Sequence, residues 1–151
     1  MDSKKRKGWI SESLYNTIRA LMPIATVDLL VMHKERLLLM LRNNEPGKDL
    51  WFTPGGRIFL GEEIDQAVHR VLREETGLTS LKIERKGVME HIWPNAESIT
   101  VFYRVDVAEE YVVMNDEHRS YTWISELEPE LNIYVKEMVK KAGVMDGSKG
   151  S

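Results

Sequence analysis

Two glutamates, Glu74 and Glu75, stand side by side at the end of a stretch in which Ile64, Ala67, Val68, Val71 and Leu72 recur with helical spacing. That spacing predicts a helix over 63–76, which Gly77 is placed to end. The peptide dipole disfavours negative charge at a helix C-terminus, so the acidic pair calls for compensation. Arg70, four residues before Glu74, can pair with it along the exposed face, whereas Glu75 lies under Val71 on the side that meets the core. A divalent cation would relieve what remains, because Mg²⁺ takes hard oxygen ligands, typically one or two carboxylates plus substrate phosphates. An ordinary acidic surface turn is the other reading of Glu-Glu taken alone. Ahead of the helix, Pro54-Gly55-Gly56 offers a bend in which backbone can approach a ligand without a Cβ in the way, or else a plain turn. Glu62 falls near the helix start, where its charge suits the dipole and a structural role is expected.

The surrounding elements must hold these groups in place. Leu14, Ile18, Leu21 and Met22 mark a short helix over 11–22, with Ser11 or Ser13 as cap and Pro23 as stop. Strands follow at 24–32 and 36–42, joined by the hairpin residues His33-Lys34-Glu35. Residues 43–49, with Pro46 and Gly47, read as loop, and Trp51-Phe52 resume an extended path. Beyond the central helix, strands are expected at 81–91, 99–107 and 121–124, the second with Val101, Tyr103, Val105 and Val107 on one face. A closing helix at 131–142 carries Leu131, Val135, Met138 and Val139 on one stripe. This order predicts an α+β fold, a mixed β-sheet layered between helices in an α/β/α arrangement.

The chain has 151 residues, which favours a single domain, expected over 11–145 between a basic tail (1–10) and a small polar tail (146–151) expected to be flexible. A hydrophobic content of 42% suffices for a core without cross-links, and zero cysteines excludes disulfides and thiolate chemistry. Twenty-one Lys+Arg against 24 Asp+Glu give a net charge of -3, without the positive field of a nucleic-acid binder. No apolar run reaches bilayer length, so no membrane partner is expected and a cytoplasmic location is.

From Gly56 to Leu78 the sequence reads Gly, five residues, Glu62, seven residues, then Arg70-Val-Leu-Arg-Glu74-Glu75-Thr-Gly-Leu78. This resembles the Nudix box and departs from it at one specified position, Val71, where the family has Glu. The resemblance implies a nucleotide hydrolase dependent on Mg²⁺, or Mn²⁺, acting on a small-molecule nucleotide. One branch, GDP-mannose mannosyl hydrolase, also lacks that glutamate, and Trp51-Phe-Thr-Pro-Gly-Gly-Arg57 resembles its Trp-Phe-Val-Pro-Gly-Gly-Arg. Several roles follow from that resemblance. Arg42 and Arg57 would bind substrate, Arg57 also aiding catalysis, since a planar guanidinium meets phosphate oxygens in pairs. Asp28, in an otherwise apolar strand, would contact substrate or form an internal salt bridge. His91 would lie by the leaving group.

The segment Asn115-Asp116-Glu117-His118, followed by Tyr121-Thr-Trp123, resembles that branch's segment bearing a general base and a metal ligand. His118 would then take a proton from water, as an imidazole with a pKa near 6.5 can, and Glu117 would ligate metal. The metal set is completed by Gly55, through its carbonyl, with Glu74 and Glu75, the last also counted as catalytic. Ser98 falls where the branch has a substrate tyrosine, and Glu74 where it has a small apolar residue. The branch further implies a homodimer. The leading expectation is hydrolysis of a nucleoside diphosphate sugar, GDP-mannose foremost, to GDP and free sugar by water attack at the anomeric carbon. Pyrophosphatase attack at phosphorus of a nucleotide sugar, dinucleotide or nucleoside triphosphate is the alternative, and a non-catalytic nucleotide sensor the third reading.

Overall fold

In β1 (Ile24–His33), residues 27–32 are all buried, a near-continuous burial possible only for a strand covered on both faces. The computed structural model describes residues 9–45 and 47–145; the basic run 4–7, Pro46 and the segment 146–151 lie outside the described residues. β1 is central to a mixed seven-stranded sheet with β2 (Arg36–Arg42), β3 (Trp51–Phe52), β4 (Gly55–Arg57), β5 (Ser80–Trp93), β6 (Ala96–Val107) and β7 (His118–Ile124). The order is β3-β2-β1-β6-β5, with β4 pairing antiparallel with β1 and β7 with β2. β1 and β6 run parallel, in register from Ile24 opposite Ser98 to Met32 opposite Asp106.

Three helices complete the domain, α1 (Glu12–Leu21), α2 (Ile64–Thr76) and α3 (Ile133–Ala142). The apolar stripe of α2, Ala67, Val68, Val71 and Leu72, packs on Val27, Leu29, Val31, Tyr103 and Val105. On the opposite face α3 sets Val135, Met138 and Val139 against Leu30, Met32, Leu39 and Phe102. The expected α/β/α layering is thus present. α2 opens with Glu63, whose backbone N–H donates to Gln66 Oε1 at 2.9 Å, and closes on Gly77 in the left-handed conformation at φ 71°. Among the described residues no helix is long and apolar enough to cross a membrane.

The structure departs from the sequence expectations in three places that bear on function. Gly55-Gly56 forms no bend: both lie in β4, with Gly55 opposite Asp28. The strand expected at 121–124 begins earlier, at His118, which heads β7 opposite Arg42 across a β-bulge. The helix expected over 11–22 forms as α1, capped by Ser11, yet buries none of its residues.

Candidate active site

Arg42 at the end of β2, the β1/β4 pair and the end of α2 border one cleft of about 890 Å³, a volume typical of small-ligand sites. It is lined by Asp28, Arg42, Gly55, Arg57, Glu74, Glu75, His91 and Glu117, all singled out above. Sequence separations of up to 89 residues thus close onto one surface, because β1 meets β4, β6 and β2 while β2 meets β7.

At one end stands Glu75, only 4% exposed, on the inner face of the last turn of α2. The Gly55 amide donates to its Oε1 at 3.3 Å. Burial, reinforced by the neighbouring Glu117 carboxylate, pushes the Glu75 carboxyl well above the ordinary range. His118 Nε2 lies 3.8 Å from Glu75 Oε1, with the ring behind Glu75. Both His118 ring nitrogens are buried without a hydrogen-bond partner. Burial, then the Arg42 charge, lower this imidazole to about 4, so it is neutral at pH 7. The Glu117 loop is fixed from its own backbone: Glu117 N–H donates to Asn115 Oδ1 at 3.0 Å and Asn43 N–H to Glu117 O at 2.9 Å.

A buried carboxylate crowded by a second one, with an unpartnered imidazole behind it, suits a hard divalent cation that keeps water or phosphate in its other positions. Among the described residues no group of three or more His, Asp or Glu side chains is gathered as a metal-holding cluster. Glu74 also borders the cleft, with its Oε1 accepting from Arg70 Nη1 at 3.1 Å. Arg70 also binds Glu62 at 2.7 Å and the Arg57 carbonyl at 2.7 Å, and its guanidinium lies 3.8 Å from the Phe59 ring centroid. Glu62, whose Oε1 accepts from Phe59 N–H at 3.0 Å, is therefore structural, tying the β4–α2 loop to the helix.

At the other end Asp28 and His91 form a buried polar pair, with His91 Nδ1 3.6 Å from Asp28 Oδ2. Thr100 donates to Asp28 Oδ2 at 2.6 Å and Thr53 to Oδ1 at 3.3 Å. Burial raises the Asp28 carboxyl and lowers the His91 imidazole, each against the pull of the other. His91 stacks on Tyr134 of α3 at 4.6 Å, and the Tyr134 hydroxyl accepts from Ile92 N–H at 2.8 Å and donates to Ile92 O at 2.9 Å. A single phenol thus caps the open edge of β5 and fixes the strand end carrying His91. Arg42 faces both ends, its charge acting on Asp28, Glu75 and His118.

The glycine pair owes its identity to space. A Cβ on Gly55 would stand 2.5 Å from Asp28 Oδ1 and 2.8 Å from the Val27 carbonyl oxygen, and one on Gly56 would stand 3.2 Å from Val71 Cγ2. Asp28, rather than a ligand, fills the room that Gly55 leaves. Val71 is 1% exposed and packs where its branched side chain closes against Gly56.

Sequence reasoning missed Phe59 and the whole contribution of α1, of which Glu12, Tyr15, Asn16 and Arg19 border the cleft. Their spacing of three and four residues was a readable signal, overshadowed by the apolar stripe of the same helix. It also missed the supports Thr53, Thr100 and Tyr134, whose partners are distant in sequence. Of the tryptophans, Trp93 lines the cleft, Trp51 packs in the α3 layer, and Trp123 packs on the α2 layer with its Nε1 donating to Glu110 O at 2.9 Å.

Comparison with known proteins gives an independent reading. The NUDIX domain model matches residues 22–142. The low-salt glycan biosynthesis protein Agl8 of Haloferax volcanii is 35% identical over 88 residues, 58% of this chain and 56% of that protein. An ADP-ribose pyrophosphatase of Methanocaldococcus jannaschii is 40% identical over 58 residues, 38% of this chain and 34% of that one. The match thus spans about half of one curated relative and a third of the other. The crystal structure of a MutT NUDIX hydrolase from Burkholderia pseudomallei superimposes with a TM-score of 0.71 at 23% identity, covering 80% of this chain and 98% of that one.

Proposed function

The chain belongs to the Nudix family, and from that premise we propose that it hydrolyses a nucleoside diphosphate sugar, GDP-mannose foremost, releasing GDP and free sugar. The observation that carries the reading is the buried Glu75 carboxylate beside Glu117, backed by a neutral His118 and faced by Arg42 across the cleft. Glu75 and Glu117 would hold a Mg²⁺ or Mn²⁺ ion, with the Gly55 carbonyl and Glu74 as the adjoining oxygen donors. Such an ion, when bound, neutralises charge that grows on a departing diphosphate.

The chain's own residues do the rest. Arg42 and Arg57 hold phosphate oxygens in fixed orientation, with Arg57 supported by the Phe59 ring at 4.6 Å. A preorganised donor of this kind is commonly worth about 10²–10³ in rate. Glu75, which borders the cleft, meets the attacking water, and His118, whose buried ring does not reach the cleft, lies behind it with Nε2 3.8 Å from Glu75 Oε1 and takes the proton through that carboxylate. Asp28 and His91 lie at the opposite end, where His91 Nε2, buried without a partner, can donate to the leaving group.

Retention of Glu74 beside Glu75, and the local similarity to an ADP-ribose pyrophosphatase, favour a second reading in which water attacks phosphorus. Hydrolysis in ¹⁸O water separates the two: label in the sugar supports attack at carbon, label in a phosphate supports attack at phosphorus. His118→Gln is expected to lower turnover by about 10²-fold or more with metal affinity largely retained. Unchanged turnover in that variant removes His118 from the chemistry, and absence of metal-dependent turnover across a nucleotide panel leaves the sensor reading.

A further inference from the structure

Among the described residues none of α3 borders the cleft, yet Tyr134 in its first turn packs on a group that does. His91 is 3% exposed, and its ring is enclosed on three sides. Asp28 lies 3.6 Å from Nδ1, the Phe52 ring meets it edge-on at 5.5 Å, and the Tyr134 ring covers one face at 4.6 Å with 27° between the planes. Nε2 is left buried and without a partner. The Tyr134 hydroxyl engages the next residue along the chain, accepting from Ile92 N–H at 2.8 Å and donating to Ile92 O at 2.9 Å. β5 is the terminal strand of the sheet, so this tether stands where a neighbouring strand would otherwise hold the backbone. Tyr134 is itself anchored, its N–H donating to the capping Asn132 Oδ1 at 2.8 Å and its ring meeting Trp93 edge-on at 5.5 Å.

We propose that Tyr134 is a positioning residue for His91, and that α3 acts on the reaction through it without touching substrate. The inference rests on the reading of His91 as the group that meets the leaving group. Asp28 does not hold the imidazole by itself: 3.6 Å exceeds hydrogen-bond range, and the carboxylate already accepts from Thr100 at 2.6 Å and Thr53 at 3.3 Å. Orientation therefore falls to packing. The stack on Tyr134 sets the plane of the ring, the tether to Ile92 sets the place of the strand end that carries it, and attraction to Asp28 selects the edge that Nδ1 faces. Phe52 cannot substitute, because it meets the ring edge-on and leaves its plane free. A reacting group is worth its full effect only when its supports lock it in place, and misplacement by about 1 Å can cost about 10²-fold in rate.

The test is a double-variant cycle on steady-state turnover by the full chain with Mg²⁺, offering GDP-mannose and ADP-ribose as substrates. Tyr134→Leu removes both the stack and the tether, and is expected to lower kcat about 10-fold or more while KM changes less than about threefold, because positioning acts on the transition state. Tyr134→Phe keeps the stack and should lose only about threefold in kcat. In a His91→Gln background either Tyr134 variant should change kcat by less than about twofold, since the group it positions is gone. A purely structural role would instead lower kcat by the same factor in both backgrounds, and that result overturns the proposal. Should Tyr134→Leu not fold, Tyr134→Phe carries the same comparison. Full kcat in Tyr134→Leu alongside an impaired His91→Gln overturns the role of Tyr134 while leaving that of His91. Full kcat in His91→Gln, or no turnover of either substrate, overturns the underlying reading and this inference with it.

Discussion

Gly55→Ala tests how tightly the site is built. The added methyl would lie 2.5 Å from Asp28 Oδ1 and 2.8 Å from the Val27 carbonyl oxygen, against an ordinary separation of about 3.5 Å or more. Neither neighbour can retreat easily. The Val27 oxygen is part of β1, paired with β6 from residue 24 to 32, and the Asp28 carboxylate is held by Thr100 at 2.6 Å. Overpacking of this kind typically costs about 1–3 kcal/mol, from which about 0.4–1 kcal/mol is recovered by the lower entropy of the unfolded alanine chain. At roughly 2–4 °C per kcal/mol for a domain of this size, Tm should fall by several degrees.

Gly56→Ala is the internal control, since its methyl meets only Val71 Cγ2 at 3.2 Å and Glu75 Oε2 at 3.7 Å, and its loss should be smaller. Asp28→Ala combined with Gly55→Ala removes the nearest clash, so the double variant should be more stable than the sum of the single losses implies, with a coupling of about 1 kcal/mol. Thermal and chemical denaturation of the four proteins measures this cycle. Equal losses at 55 and 56, or additivity in the double variant, would refute the argument that Asp28 is the reason position 55 must be glycine.

Two further expectations concern the acidic end of the cleft and the hairpin. Because the Glu75 carboxyl is raised well above its usual range, its stabilising contribution in metal-free protein is full at low pH and is lost as pH rises through the raised value. Glu75→Gln should therefore increase metal-free stability at pH 8 while abolishing the stabilisation that added Mg²⁺ gives. His118, lowered to about 4, acts with the opposite sign: its contribution, at most about 3 kcal/mol, is present above pH 6.5 and lost as pH falls toward 4. That acid-side decline should stand out in Glu75→Gln, where the opposing term is gone, and a pH-independent stability there between 4 and 6.5 would contradict it. At the β1–β2 turn Lys34 and Glu35 both hold positive φ, 50° and 62°, the geometry of a type I′ turn that prefers Asn-Gly. Replacing the pair with Asn-Gly should raise stability by about 0.5–1 kcal/mol in denaturant unfolding, with the cleft unaffected.

Much of this molecule was legible before any coordinates. The 3.6-residue period of Ile64, Ala67, Val68, Val71 and Leu72 and the glycine behind it determined α2, because periodicity and capping are local properties of the chain. The position of Glu75 one turn beyond Val71 determined that it would face the core. The same local reasoning located the strands other than β4, and the closing helix, and the Gly56 to Leu78 pattern located the acidic end of the cleft. Tertiary structure alone decided the rest. The space at Gly55 belongs to Asp28 because β4 pairs with β1, and His118 heads a strand because the chain returns to pair with β2. α1 faces its polar stripe toward the cleft although its apolar stripe suggested the reverse. The physical reason is common to these cases: composition and periodicity report what a segment can bury, whereas what it does bury depends on which distant strand arrives beside it.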